Sequence, residues 1–377
     1  MKPVDIRPVH SAAERRTFLR FPWQIYKNDP LWVPPLLPER AAKIDPQKGV
    51  FFKRGSAEFF IAWSGGKPVG TICAAEDRAV NEQRGLKDCM FGFFECIDDY
   101  EVAQALFDTA AAWAKARGLK TLYGPFNLDY EDSYGILIEG RDRPPALLCG
   151  HTPPYYQTMV ERYGFQPTRG DNIAFAISLD RSTPEWERAA RLADRLRKHG
   201  NITVRGARMD HWDEEVDTVL NLLNKATAHL VDFIPWQRAA LQDSLAPFRQ
   251  IADPELILFA EVKGEAVGWF PAIPNLNEAF QHANGLRYPW DYLKLAWYMR
   301  QQPKCLAIKS VLVLPEYWNM GVGVLLIDEM SRRIQGKGYE WVDLSLTSAD
   351  NPATPVLANR MGAQLYKRYR VYRVQLD

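Results

Sequence analysis

No run of apolar residues in this 377-residue chain is long enough to span a bilayer, and its opening, MKPVDIRPVHSAAERR, has no apolar leader core. These absences predict a protein of the cytoplasm, with peripheral contact at the inner membrane as the alternative. Cysteine is sparse: Cys73, Cys89, Cys96, Cys149 and Cys305 are odd in number and scattered, without a CxxC pair. That spacing suits reduced thiols better than a disulfide framework or a zinc site. Charge of neither sign is in surplus, with 47 Lys plus Arg against 46 Asp plus Glu. Nucleic-acid binders ordinarily carry a basic excess, so that class is set aside. HExxH, zinc-spaced His/Cys clusters and a Ser-His-Asp order are all missing, so neither a metal nor hydrolase chemistry is expected.

Apolar and aromatic side chains are plentiful. Hydrophobic residues make up 47% of the chain, enough for two cores, and aromatics reach 12% with 12 Trp. Two aromatic clusters stand out: FPWQIYKNDPLWVPPLLPE (21–39) and YPWDYLKLAWYMRQ (288–301). The second reads by default as a core-facing helix; it would also serve as the wall of a long apolar tunnel or as a helix lying in a membrane interface. The first reads as a proline-stiffened loop over the same groove.

The chain is written twice. EFFIAWSGGKPVGTI (58–72) and LILFAEVKGEAVGWF (256–270) both read as strand, glycine turn, strand, and Ala62, Gly66, Val69 and Gly70 recur 198 positions later as Ala260, Gly264, Val267 and Gly268. Arg162 and Gly164 recur at the same offset as Arg360 and Gly362. Between these anchors MFGFFECID and CLAIKSVLVL read as strands, and DYEVAQALFDTAAAWAKARG and GVGVLLIDEMSRRIQGKG as helices. TPEWERAARLADRLRKHG (183–200) reads as an amphipathic helix joining the halves. The order implies an α/β (α+β) protein of two tandem domains, 1–182 and 183–377, each a mixed sheet flanked by helices.

The bend after the second copy's central strand, SVLVLPEYWNMGVGVLLIDEM, carries Gly321 and Gly323 at the opening of a helix. A helix N-terminus offers unpaired amides and partial positive charge, and glycine leaves room for an anion to reach them. It is neither a GxGxxG loop, since Leu326 stands in the third position, nor a Walker loop. The stretch resembles the pyrophosphate loop of the GNAT superfamily of acyl-CoA-dependent N-acyltransferases, usually R/Q-x-x-G-x-G/A, with Trp318 where Arg or Gln is usual. Downstream, NPATPVLANRMGA fits that superfamily's next landmark at Asn351, Leu357 and Gly362, with Ala358 where a tyrosine is expected. Both copies together resemble the tandem GNAT proteins, including the bacterial ceramide-synthase-like branch.

The resemblance implies an acyl-CoA co-substrate, an amine acceptor and no metal. Val311 and Val313 would pair with the pantetheine arm, and Leu312 or Val313 would supply an N–H to the oxyanion. The amides of Trp318, Asn319, Met320, Gly321, Val322, Gly323 and Val324 would hold the pyrophosphate, with Asn351 near the pantetheine arm or the thioester. The first copy has Asp98 and Asp99 in place of the glycines, so a single CoA site is expected, in 183–377. An attacking amine must lose a proton, and His282, Glu278 and, less directly, His151 are the expected bases; Tyr366 or Tyr317 is the expected acid. Asp129, Glu131 and Asp132 read as a solvated turn or an amine-binding loop. The aromatic clusters favour a long-chain or lipid-like substrate. A non-catalytic acyl-CoA sensor and an aminoacyl-tRNA-dependent peptidoglycan-bridge-type transferase are the alternatives.

Overall fold

The computed structural model describes residues 3–376 apart from 131–133, 169, 181–183, 230–234, 250–251 and 352–353, so Glu131 and Asp132 lie outside the described residues. Two hairpins set the frame: Gly55–Ser64 pairs with Lys67–Asp77, and Ile257–Val262 with Glu265–Pro274. Each turns on a glycine in the left-handed region, Gly66 at φ +78° and Gly264 at φ +85°. Both ladders then slip at the same place, just beyond the facing pairs Ala62–Gly70 and Ala260–Gly268. A Cβ on Gly70 would stand 2.7 Å from Leu106 Cδ1, and one on Gly268 would stand 3.0 Å from Val322 Cγ1. Helices Tyr100–Lys115 and Val322–Ile334 therefore press on equivalent hairpins, and the sequence repeat is a structural repeat.

The first sheet runs Val4–Pro8, Gly55–Ser64, Lys67–Asp77, Asp88–Cys96, Thr121–Gly124, Tyr372–Gln375, Gln166–Pro167. The second runs Ile136–Glu139, Gln364–Arg370, Asn172–Ser178, Trp341–Ser348, Cys305–Ile308, Glu265–Pro274, Ile257–Val262, Thr203–Gly206, with Leu312–Val313 attached separately to Glu265–Pro274. Each is mostly antiparallel with one parallel pair, Asp88–Cys96 beside Thr121–Gly124 and Cys305–Ile308 beside Trp341–Ser348. The halves exchange strands. Tyr372–Gln375, from the end of the chain, closes the first sheet, while Asn172–Ser178 is threaded between two strands of the second. The exchange is welded by apolar burial: Tyr372 belongs to the first core, and Ile173, Phe175 and Ile177 belong to the second. At the seam Arg370 grips Asp171 through Nε at 2.7 Å and Nη2 at 2.9 Å.

Two local expectations are corrected. The central strand CLAIKSVLVL is broken after Ile308 and resumes only as Leu312–Val313. The helix Pro289–Tyr298 does not turn its aromatics to the core: Trp290, Leu293 and Trp297 are 55%, 74% and 65% exposed. The aromatic segment 21–36, which opens with the short helix Pro22–Ile25 rather than a loop, packs beside the base of this helix. Trp23 donates from Nε1 to Asn284 Oδ1 at 2.9 Å, and Gln281 donates to the Pro30 carbonyl. Gly285, at φ +67°, is the keystone of that contact, since a Cβ there would stand 2.4 Å from Trp23 Cζ2 and 2.7 Å from the Pro35 carbonyl oxygen. Gly285→Ala is expected to cost ~2–4 kcal/mol by combining a forced positive φ with overpacking, as read by urea denaturation.

Candidate active site

The broken strand opens the second sheet. Cys305, Leu306 and Ala307 pair in parallel with Trp341, Val342 and Asp343. Beyond this point Leu312–Val313 pairs only with Gly268 and Trp269, while Leu346, Thr347 and Ser348 pair with the inserted strand Asn172–Ser178. The two strands thus diverge, leaving a wedge between them. Leu314 donates its amide to the Val267 carbonyl. Strand alternation then turns the polar groups of Val313 toward the wedge. Its carbonyl is met there by Trp318, whose indole Nε1 donates to it at 2.8 Å. The residue standing where Arg or Gln is usual is thus a lid on the strand.

At the mouth of the wedge, Pro315–Met320 forms a 3₁₀ turn and Gly321, at φ +81°, is the N-cap of Val322–Ile334. No side chain caps this helix. Asn319 and Met320 are exposed, and a Cβ on Gly323 would have no atom within 4 Å, whereas one on Gly321 would meet Leu196 Cδ1 at 2.4 Å. The linker helix Pro184–His199 covers Gly321 from one side, held by Arg197 on Asp328 (2.6 Å) and Arg332 on Asp194 (2.7 Å), but leaves the first turn open over Gly323. In the first copy the equivalent place is filled by the protein itself, because Asp99 caps Tyr100–Lys115 through Oδ1 to the Glu101 amide at 3.0 Å. The set of donors in the second copy therefore fits a phosphate, and that in the first does not.

A cavity of about 1570 Å³ lies between the two sheets, and it reaches this wedge: Lys309, Ser310 and Leu312 line it. Most of its wall is apolar, with Phe18, Phe51, Phe93, Val216, Phe259 and Ile273 contributing, and 32–36 of the proline loop form one side. Both copies give it polar groups: Lys309, Ser310 and Asn277 from the second, and Arg40, Glu95 and His151 from the first. Glu95 faces in from Asp88–Cys96, and its carboxylate accepts the Tyr156 hydroxyl at 2.7 Å, with Tyr26 and Arg40 close by. Glu95 keeps some accessible surface because it lines the cavity, yet so much protein surrounds it that desolvation pushes its pKa up to about 7, against the pull of the two tyrosines and Arg40. His151 sits nearby, tied through its main chain to Tyr26, whose hydroxyl donates to the His151 carbonyl at 3.0 Å. Its Nε2 lies 2.7 Å from Asp29 Oδ2, and burial holds its pKa below the usual value. With Nε2 donating to Asp29, Nδ1 is a buried acceptor without a partner among the described residues; Trp269 Nε1 is a buried donor in the same condition, and both residues line the cavity.

Sequence reasoning missed Glu95. It is an acid set between Phe94 and Cys96 in the apolar run of its strand, a signal on its own. Simple alternation would have put it on the same face as Phe91. A bulge at Phe93 (φ +46°) inserts one extra residue opposite Thr71–Cys73 and reverses the faces. Phe94 and Cys96 thereby join Phe91 under the helix, and Glu95 turns into the cavity. The three expected catalytic residues are placed elsewhere and are not brought together. Glu278 accepts the amides of Lys304 and Cys305 at 2.9 and 2.8 Å, His282 stacks on Tyr298 at the surface with centroids 3.9 Å apart, and Tyr366 donates to the buried Asp343 at 2.8 Å. None of them lines the cavity. Asn351 lies in the turn after Trp341–Ser348, with its amide on the Ser348 carbonyl at 3.0 Å. Val311 is exposed at the break and Val322 is buried in the core, so Val322 faces the wedge with its backbone alone.

A splayed mixed sheet, with an uncapped helix at the mouth of the splay, is the architecture of an acyltransferase of the GNAT class. A model described as the acetyltransferase (GNAT) family matches residues 217–363. Over 378 residues the chain is 31% identical to a protein named bacterial ceramide synthase from Caulobacter vibrioides, covering 98% of this chain and 97% of that one. The chain belongs to the GNAT family. It is also 27% identical to Escherichia coli protein YghO, covering 98% of this chain and 95% of the other. A tandem GNAT protein from the clavulanic acid biosynthesis pathway shares the fold, with a TM-score of 0.60 at 12% identity and coverage of 100% and 99%.

Proposed function

We propose that the protein transfers an acyl group from a coenzyme A thioester to the amine of a long-chain, lipid-like acceptor, in one composite site. The observation that carries this reading is the single cavity that joins Ser310 and Leu312 of the second copy to Glu95 and His151 of the first. The thioester arm lies along Leu312–Val313 in the wedge, and the amides of Val322, Gly323 and Val324 take its pyrophosphate. Glu95 takes the proton that the amine loses as it attacks; a carboxylate near pH 7 is matched to that task. The N–H of Val313 faces the developing oxyanion. His151 Nδ1 and Trp269 Nε1 offer an acceptor and a donor to polar groups next to the amine, such as the hydroxyl of an amino alcohol.

The cavity volume favours a long chain. Sites for compact small molecules run to roughly 300–1,000 Å³, and this one is larger and mostly apolar. The relative named a ceramide synthase favours the same substrate class. Long-chain acyl-CoA is expected to raise the melting midpoint by at least about 3 °C more than acetyl-CoA at equal concentration. Equal shifts would remove the case for a long acyl tunnel. Mass-detected transfer from long-chain acyl-CoA to a panel of long-chain amines is the direct test, and CoA binding without any transfer would favour the sensor reading.

A further inference from the structure

The helix Pro289–Tyr298 is turned inside out. Its inward stripe is Asp291, Leu295 and Tyr298, and Asp291 is fully buried. Its outward stripe, at i, i+3, i+4, i+7, is Trp290, Leu293, Lys294 and Trp297. An ordinary surface helix buries its apolar stripe and sends its charges out. Tyr288, Tyr292 and Met299 widen the exposed face, with the Tyr288 and Trp290 rings stacked at 4.8 Å. The arrangement is anchored, since Asp291 accepts the Tyr288 amide at 3.0 Å and Asn284 Nδ2 at 3.4 Å. Asn284 and Gly285 in turn fix the helix to the loop at Trp23 and Pro35.

We propose that this face docks on the surface of a bilayer containing anionic phospholipid. Tryptophan, tyrosine and leucine on one helix face suit the depth of the headgroups and upper acyl chains. The charge supports the same partner. Between 287 and 300 the one acid is the buried Asp291, 3.9 Å from Lys294 Nζ; Arg287 lies over the Trp23 ring, so the exposed Lys294 and Arg300 leave the outward face cationic toward an anionic leaflet. A second copy of the chain would set those cations against their own counterparts. Ten residues are too few to cross a bilayer, and among the described residues no helix is long and apolar enough to do so. The helix lies on the surface instead. It is bonded to the 21–36 chain, part of which walls the cavity, so docking places that cavity beside the membrane.

The inference goes beyond acyl transfer, and its test needs no turnover. Full-length protein is sedimented with extruded phosphatidylcholine vesicles, with and without one quarter phosphatidylglycerol. The wild type is expected to sediment with the anionic vesicles and to lose binding as salt rises. Trp290→Ser/Trp297→Ser should lower the partition coefficient at least ~10-fold, with an unchanged circular-dichroism melt because both rings point to solvent. Arg300→Gln, a milder change at the end of the same exposed segment, should weaken binding to anionic vesicles and leave the melt unchanged. Wild-type protein that stays in the supernatant would overturn the proposal, as would variants that bind like wild type. So would light scattering that shows a wild-type dimer turned monomeric by the double substitution.

Discussion

Glu95→Gln is expected to give a protein that is both inactive and more stable. Loss of the proton acceptor should lower kcat/KM ~10²–10⁴-fold in an acyl-CoA-to-amine assay, with KM for the acyl-CoA little changed because that substrate is held by the other copy. In the wild type, kcat/KM should climb as pH rises through about 7, where Glu95 gives up its proton, and that limb should vanish in the variant. Stability runs the opposite way. The native state keeps the Glu95 proton up to about pH 7, while the free side chain releases it near 4.5. Native stability therefore falls as pH climbs across that window and stays lowered above it. Glutamine keeps the shape and accepts from Tyr156 without the buried charge, so at pH 8 the variant should gain of the order of 1–3 kcal/mol. A Glu95→Gln protein with wild-type kcat/KM and an intact limb would move the base elsewhere, with His151 the first residue to test.

The second large effect is expected at Gly323→Asp. Gly321 is the poorer site to probe, because any side chain there meets Leu196 and a positive φ. Gly323 has ordinary helical geometry and open space. Aspartate in the first turn interacts favourably with the helix dipole, and replacing glycine removes a propensity penalty, so stability should hold or rise by ~0.3–1 kcal/mol. The same carboxylate would stand where the pyrophosphate belongs, as Asp99 does in the first copy. Affinity for CoA should fall ~10–100-fold by isothermal titration, and Gly323→Ala should retain most of it. Undiminished affinity in a folded Gly323→Asp protein would remove the phosphate site from this turn.

Features carried by local geometry were legible in the residues. Hairpins turn on glycines whose spacing recurs, so one offset of 198 exposed the duplication, and the glycines at the helix opening marked the loop. What depends on distant partners was not. Glu278 has a carboxylate that looks available until the amides of Lys304 and Cys305 arrive from a strand more than twenty residues away. Tyr366 looks like a free phenol until Asp343 takes its proton donor. Glu95 was hidden by one extra residue in its strand, a change that reverses every face downstream and leaves no mark in an apolar alternation. The strand exchange is likewise a matter of pairing across some two hundred residues, and Asn172–Ser178 reads the same whichever sheet receives it.

That exchange also bears on how the molecule comes into being on the ribosome. Tyr372–Gln375 is translated long after Thr121–Gly124, yet it pairs with that strand in the sheet begun by Val4–Pro8. An emerging first copy must wait, with an unfilled place beside Thr121–Gly124, until the second copy has been made. Duplication thus produced two copies that can no longer mature in sequence, one after the other: the pair reaches its native form together.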